Sequence, residues 1–379
     1  MINVERYDSK TVTVNYYDKL LSRQNTRKSQ KQSWETISKI ATLKEGYLSA
    51  VVHKLAKLMI EKNAIIVLEK LNQFFMGRRC AIAERAVYQK FEKMLINKLN
   101  YLVFKKNNDY EPGGCFNGYQ LTNKFTTFED IGFQTGFLFY VPAAYTSAID
   151  PTTGFANVLN LTKAKKEIRL FFSTFESIKY LPKEDLFKFT LDFSKSSLVS
   201  QIKLEKSKWD IYSYGKRIIS WTDKSKHFNI DANYSPTQKL KELFEKYNIE
   251  YQKGEELKDK IKDKINKNEN LNAYFGEEIF YIFKNILKMR NSVTGSTDPK
   301  DDYVISPVKN ANGTFFDTRE NINSLPKNAD ANGAYHIALK GLMILKKNDL
   351  VTNEKDRESL TTILNQDWFK FVQKDRFEL

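Results

Sequence analysis

Sulfur, long apolar runs and acidic side chains are what this 379-residue sequence has little of. Its two cysteines, Cys80 and Cys115, support neither a disulfide framework nor a thiolate metal site. No apolar run approaches the roughly 20 residues that a membrane-spanning helix needs. The start, Met1-Ile2-Asn3-Val4-Glu5-Arg6, lacks the layout of a signal peptide. These absences predict a soluble, cytoplasmic protein with no membrane partner. Internal repeats are absent as well. Acidic residues number 46 against 61 basic ones, a net charge of +15 with a pI near 9.3. What is present is globular in character: 41% hydrophobic and 13% aromatic residues, on a chain with room for two or three domains. The basic excess points to a polyanion, nucleic acid ahead of a membrane surface, because no long basic amphipathic helix dominates. A Lys-rich but merely solvated surface is the plain alternative.

One stretch organises the rest. In residues 63–72 a partly β-branched apolar run, Ile65-Ile66-Val67-Leu68, reads as a strand buried on both faces and ending in Glu69. At the C-terminal edge of an α/β sheet such a carboxylate faces the crevice where ligands bind. The plain alternative is the first solvated residue after a core strand. A second acid, Asp330, follows 261 positions later at the mouth of an apolar helix, in Asn328-Ala329-Asp330-Ala331-Asn332-Gly333.

In chain order, residues 1–38 read as a basic helix, with Arg23, Arg27, Lys28 and Lys31 and a single anchoring aromatic, Trp34. Such a helix suits a phosphate backbone. Residues 44–62 carry Leu48, Val51, Val52, Leu55, Leu58 and Met59 at helical spacing. His53 within them reads as a packing or surface residue. After Arg78 and Arg79, a long helix is predicted over 82–104 with a stripe through Val87, Phe91, Met94, Leu95, Leu99 and Leu102. Pro112-Gly113-Gly114 breaks the chain, residues 119–122 read as a short edge strand, and 136–142 as a second buried strand stopped by Pro142. Alternating helix and strand favour an α/β layer.

The character changes near Ala143. Short strand-like runs lie between 168 and 221, and a helical half spans 238–289 with an exposed charged run at 253–267. This block reads as a separate α+β insert. Residues 301–308 are predicted as a strand closed by Pro307, with Asp302 read as a turn residue. A helix over 329–345 and an amphipathic one holding Trp368, Phe369 and Phe371 complete the chain.

Two distant acids can serve one metal centre if the insert leaves and re-enters the same sheet. Phosphodiester hydrolysis by two Mg²⁺ ions roughly 4 Å apart uses one ion to activate water and the other to stabilise the leaving oxygen. Mg²⁺ takes few carboxylates and completes its shell with water and phosphate. A third, bridging acid is expected on a first strand, yet nothing before Lys44 is an apolar run ending in Asp and followed by Gly.

These residues carry a resemblance. Lys44-Glu45-Gly46-Tyr47-Leu48-Ser49, Val87-Tyr88-Gln89-Lys90-Phe91-Glu92-Lys93-Met94-Leu95, Asp150-Pro151-Thr152-Thr153-Gly154-Phe155, Met289-Arg290-Asn291-Ser292, Ile305-Ser306-Pro307-Val308 and residues 328–336 are similar to the C-terminal part of the type V-A CRISPR effector nucleases, the Cas-twelve-a or Cpf-one family. The match runs through almost the whole chain. It implies an α/β RNase H-like (RuvC) nuclease domain, incomplete at its N-terminus, with an inserted α+β Nuc domain. The implied division is a basic bridge-helix region at 1–43, a second RuvC segment at 44–142, the Nuc domain at 143–327 and a third RuvC segment at 328–379. The resemblance assigns Glu69 and Asp330 as catalytic and metal-binding carboxylates for two Mg²⁺ ions. It assigns Arg290 to catalysis and phosphate contact and matches Trp34 to the aromatic anchor of the bridge helix; with the basic residues Arg23, Arg27, Lys28 and Arg79, Trp34 makes the candidate nucleic-acid contacts. The implied partners are target DNA, a guide RNA and the missing N-terminal portion, in a prokaryotic cytoplasm.

Departures from the family pattern are specific. Lys70 stands in Glu69-Lys70-Leu71-Asn72 where the family has Asp, and Phe74-Phe75-Met76 replaces a Gly-Phe-Lys step. The first RuvC motif has no counterpart. The chain is therefore expected to be inactive alone, a fragment of an RNA-guided DNA endonuclease. Two alternatives stay open: a nuclease-dead nucleic-acid-binding remnant, and a TnpB-like transposon nuclease, which shares the Asp-x-Asn motif but lacks the long insert.

Overall fold

The computed structural model describes residues 34–70, 82–124, 134, 136–195, 198, 204–222, 228–266, 272–293, 301–320, 325–349 and 363–374. The chain forms two compact units, one of Met1–Ala143 with Ile337–Thr361, the other of Ala144–His336 with Thr362–Leu379. No helix among the described residues is long and apolar enough to cross a membrane.

In the first unit, helix α1 (Trp34–Glu61) is continuous. The sequence suggested a basic helix over 1–38 and another from Lys44; residues 1–33 lie outside the described residues, and from Trp34 onward the two readings fall on one helix. Gly46 stands in open space where a side chain would meet nothing. Leu48, Val52, Ala56 and Met59 form its buried face. The helix stops at Asn63, whose φ of 47° is left-handed, while the Ala64 amide reaches back to the Met59 carbonyl at 2.9 Å. That is a Schellman-type stop, and Asn tolerates the left-handed position. Four residues, 62–65, separate α1 from strand β1 (Ile66–Lys70).

β1 pairs in parallel with β2 (Leu138–Pro142), in a register that sets Ile66 against Leu138 and Glu69 against Val141. The strand was expected to be buried on both faces; all five of its residues are only half-buried. Among the described residues β2 is its one strand partner. Helix α2 (Ile82–Asn100) supplies Leu95, Ile96 and Leu99 to a core shared with Val52, Ala56, Met59, Leu102 and Leu138. α2 ends four residues earlier than its apolar stripe suggests. Asn100 Nδ2 donates to the Thr122 carbonyl at 2.7 Å and Thr122 Oγ1 to the Ile96 carbonyl at 2.8 Å, drawing the chain into a turn. Residues 119–122 make one isolated bridge, Leu102 with Tyr119, and no strand.

Helix α8 (Ala329–Asp349) contributes its residues from Ile337 onward to this unit. It packs through Gly341, where a Cβ would lie 2.4 Å from Val67 Cγ2, and through buried Met343 and Ile344. Leu342 is exposed.

The second unit is α+β. Short helices α3 (Leu161–Lys166) and α4 (Ile168–Ser173) lead into the antiparallel sheet β3 (Phe175–Leu181), β4 (Leu186–Asp192) and β5 (Lys208–Tyr212). A hairpin, β6 (Arg217–Thr222) and β7 (Phe228–Tyr234), precedes α5 (Pro236–Lys246). Ser235 caps α5 by accepting from the Gln238 amide, with Pro236 at the first position where no donor is needed. The charged run becomes α6 (Lys258–Asn266), held by Ile261 and Ile265 one turn apart and both buried. α7 (Asn272–Ile286) adds Phe280 and Phe283 to a cluster with Phe171, Phe175 and Phe189.

The last sheet runs β10–β9–β8, with β8 (Arg290–Ser292), β9 (Asp302–Lys309) and β10 (Phe315–Asp317). Pro307 lies inside β9 and does not close it. It falls where the register with β10 shifts, between Phe315 facing Lys309 and Asp317 facing Ile305, and a bulge is where a strand tolerates a missing N–H. Helix α9 (Asn365–Gln373) buries Trp368, Phe369, Phe371 and Val372. Gly154, at φ 73°, lets the chain pass so close to α9 that a Cβ would meet the Val372 carbonyl at 2.4 Å.

Candidate functional site

Glu69 stands at the carboxyl end of the β1–β2 pair, the edge at which parallel strands present ligand-binding groups. Two side chains from other elements of the unit come to it. The Tyr88 hydroxyl of α2 donates to the Glu69 main-chain oxygen at 3.3 Å. Lys340 of α8, 1% exposed, donates through Nζ to the Pro142 carbonyl at 2.8 Å. Burial disfavours its charged form and brings the Lys340 pKa down to about 8, with the negative charge of Glu69 opposing part of that fall.

Glu92 lies one turn beyond Tyr88 on α2 and is 4% exposed. Burial pushes its carboxyl up to about 7, against the opposing effect of the Tyr140 and Tyr88 hydroxyls. Burial and the charge of Glu92 raise both phenols in turn.

The second unit holds the other acid. Asn328 opens α8 with its side chain accepting from the Ala331 amide at 2.7 Å, so Asp330 falls in the first turn, where the helix dipole favours negative charge. Asn332 is fully buried and donates from Nδ2 to the Ile149 carbonyl at 2.9 Å; His336 Nδ1 meets the Asn332 carbonyl at 2.9 Å. Arg290, the first residue of β8, donates to Asp330 Oδ1 at 2.8 Å. The same guanidinium nitrogen lies 3.9 Å from Asp302 Oδ1. Its strand is anchored by Asn291, fully buried, which accepts from the Ile218 amide at 3.0 Å and donates to the Met289 carbonyl at 3.0 Å.

The structure therefore brings Arg290 and Asp330 together, while Glu69 belongs to the other unit with Lys340 beside it. Trp34 is the first residue of α1. Arg23, Arg27, Lys28 and Arg79 lie outside the described residues. His53 is exposed, edge-on to Phe104, as a surface residue should be. Asp302 opens a strand and sits by Arg290, where a turn residue was expected.

Sequence reasoning passed over Lys340, Tyr88 and Glu92. Each left a signal. Glu92 interrupts an apolar stripe at helical spacing with Leu95 and Leu99, and Lys340 does the same between His336 and Ile344. A charged group inside such a stripe has to find a partner or titrate.

The family model described as the RuvC nuclease domain matches residues 3–377.

Proposed function

The chain belongs to the RuvC nuclease domain family, and from that premise we propose that it is the catalytic part of an RNA-guided DNA endonuclease of the type V-A kind. RuvC nucleases generally use divalent metal ions. In this reading Glu69 and Asp330 are the metal-binding acids and Mg²⁺ is the ion. Their chemistry fits a hard cation, because carboxylate oxygens are the donors Mg²⁺ takes and it keeps several waters of its own. When bound, the ions activate the attacking water and stabilise the leaving oxygen. Among the described residues no group of three or more His, Cys, Asp and Glu side chains comes together, so the described acids make a sparse ligand set.

The observation that carries the reading is the Arg290–Asp330 pair at 2.8 Å. A guanidinium has five N–H donors in a fork that suits phosphate, and one of them is used on Asp330. Arg290 is thereby held beside an acid assigned to the metal, with its side chain 39% exposed. Arg290 would hold and orient the phosphate whose ester bond breaks. The net charge of +15 and the exposed, mutually stacked rings of Tyr110 and Phe116 support single-strand contact through phosphates and bases.

A second reading, nucleic-acid binding without cutting, is favoured by the sparse acids. Two Mg²⁺ ions at about 4 Å repel strongly and need a bridging carboxylate, and the sequence before Lys44 contains no apolar run ending in Asp and followed by Gly. The test is a cleavage assay with Mg²⁺. The purified 379-residue chain should bind single-stranded DNA and leave it intact. Supplied with a guide RNA and a polypeptide carrying the first acid, it should cut both strands. Glu69→Ala and Asp330→Ala should abolish that activity, and Arg290→Ala should chiefly impair the guide-paired strand. Efficient Mg²⁺-dependent cutting by the chain alone, lost in Asp330→Ala, would show that another acid completes the site, with Asp302 the first to examine. No cutting with any such polypeptide would leave the binding-only reading.

A further inference from the structure

Strand β8 carries Arg290 and has little of its own to hold it. It is three residues long and pairs, among the described residues, with β9 alone. An edge strand that short opens locally unless something else ties it down.

The tie comes from the start of β6. Ile218 is 3% exposed and stands where the register of β6 with β7 shifts, between Arg217 facing Tyr234 and Ile219 facing Asp231. Its amide donates to Asn291 Oδ1 at 3.0 Å, and its carbonyl accepts from Lys288 Nζ. The Lys216 carbonyl accepts from the Tyr303 hydroxyl at 3.1 Å, and Tyr303 is the β9 residue opposite Asn291. Arg217, fully buried, answers in the other direction, donating through Nη2 to the Ile286 carbonyl at the end of α7 at 3.1 Å. Residues 216–218 thus grip the chain on both sides of Arg290.

We propose that Asn291 is a positioning residue for Arg290, acting through the Ile218 amide. Successive side chains of a strand point to opposite faces. With Asn291 bonded inward to Ile218, β8 cannot turn about its axis. Arg290 is then presented to the other face, where it meets Asp330 at 2.8 Å. Without an acceptor at 291 the Ile218 amide is left buried and unmatched, and β8 loses the bond nearest Arg290. The use of Arg290 on phosphate rests on the proposed function; its orientation does not.

Packing alone makes a different demand. Any small side chain would serve the space at 291, whereas orientation needs an acceptor there. Asp keeps one at Oδ1, and the Met289 carbonyl, which loses the Asn291 amide, still accepts from the Ile305 amide at 3.0 Å. Ala has none. The test uses the full chain with ¹⁵N-labelled arginine and reads the Nε–H resonance of Arg290, identified by its absence from Arg290→Ala. Asp330→Ala shows where that resonance lies once the carboxylate partner is gone. Asn291→Ala is expected to carry it most of the way there, and Asn291→Asp to leave it near its place in the parent chain. Lys288→Met, which removes the other bond to Ile218 and keeps most of the side-chain volume, should move it the same way and carries the test if Asn291→Ala does not fold. A resonance that stays put in whichever of these two folds overturns the inference, as does an equal displacement in Asn291→Ala and Asn291→Asp. Binding of single-stranded DNA separates orientation from use. Asn291→Ala should weaken it about two-fold in the parent chain and not at all in Arg290→Ala, because one residue acts through the other. Equal weakening in both backgrounds would overturn the positioning role. Arg290→Ala with the affinity of the parent would instead overturn the phosphate contact, and the resonance alone then decides the orientation.

Discussion

Each of the two acids assigned to the metal has a cation of the chain for company, and the two cations could hardly be set more differently. In the first unit Lys340 is 1% exposed, tied to the Pro142 carbonyl, and brought down to about 8 by burial. In the second, Arg290 and Asp330 are 39% and 55% exposed, and they meet at 2.8 Å. A charge placed beside an exposed acid in water is worth little and exchanges readily for another cation. A charge buried beside an acid is a structural commitment, because removing one partner strands the other and its hydrogen bonds. The difference teaches that one pair is part of the frame that holds β2 and α8 together, and the other is an exposed contact that, on the proposed function, an incoming phosphate or metal ion would displace.

Substitution breaks that contrast most plainly. Lys340→Ala removes a buried donor from the Pro142 carbonyl and a cation from Glu69, and leaves a cavity against β1. It should destabilise the first unit by about 3–5 kcal/mol. Arg290→Ala should cost no more than about 1 kcal/mol, the range of exposed pairs. Urea unfolding followed by tryptophan fluorescence and circular dichroism measures both. Equal losses for the two variants would erase the distinction.

Burial also sets a pH dependence in the first unit. Glu92 has a folded pKa of about 7 against 4.5 for a free carboxyl. Between those values the folded chain holds a proton that the unfolded chain has released, so stability falls as pH rises from about 4.5 to 7. The shift corresponds to about 3 kcal/mol, fully present below pH 4.5 and lost above 7. Glu92→Gln does not titrate and should flatten that part of the curve, making the variant the more stable chain at pH 8. A parent chain whose unfolding midpoint relative to Glu92→Gln is constant from pH 4.5 to 7.5 would contradict the burial argument.

Local rules account for much of what could be read in advance and for where reading stopped. The strand carrying Glu69, the strand of residues 138–142 and the helix opening at Ala329 follow from apolar runs, Pro142 and the capping Asn328, all signals within a few residues. Three expectations failed for reasons that lie elsewhere in the chain. β1 looked buried on both faces because its run is apolar, but burial depends on how many strands flank it. Pro307 looked like a strand end because it lacks an N–H, and a bulge paired with residues eight and ten positions later absorbs that lack. Asp302 looked like a turn residue until β8 arrived beside it. At the candidate site Glu69 and Asp330 were named by resemblance, whereas Glu92 and Lys340 show in the sequence only as charges inside apolar stripes, and their partners lie on other elements.

The smallest expected effect sharpens the contrast where it bears on nucleic acid. Phosphate neutralised by a protein cation releases condensed counterions, so affinity for single-stranded DNA should fall linearly in log–log terms as salt rises. Arg290 is exposed, and its bond to Asp330 is of the displaceable kind. Arg290→Ala should therefore weaken binding to an oligonucleotide by a few-fold at low salt and reduce the salt slope by about one. A buried lysine that donates to a carbonyl has no phosphate to meet. Lys340→Met, which keeps most of the side-chain volume, should leave the slope unchanged in chain that remains folded. Fluorescence anisotropy across about 50–200 mM salt reads both slopes in one experiment. If Arg290→Ala leaves the slope untouched, the guanidinium is not a phosphate ligand in the binding mode sampled, and its part in the proposed cleavage would have to come from Asp330 alone.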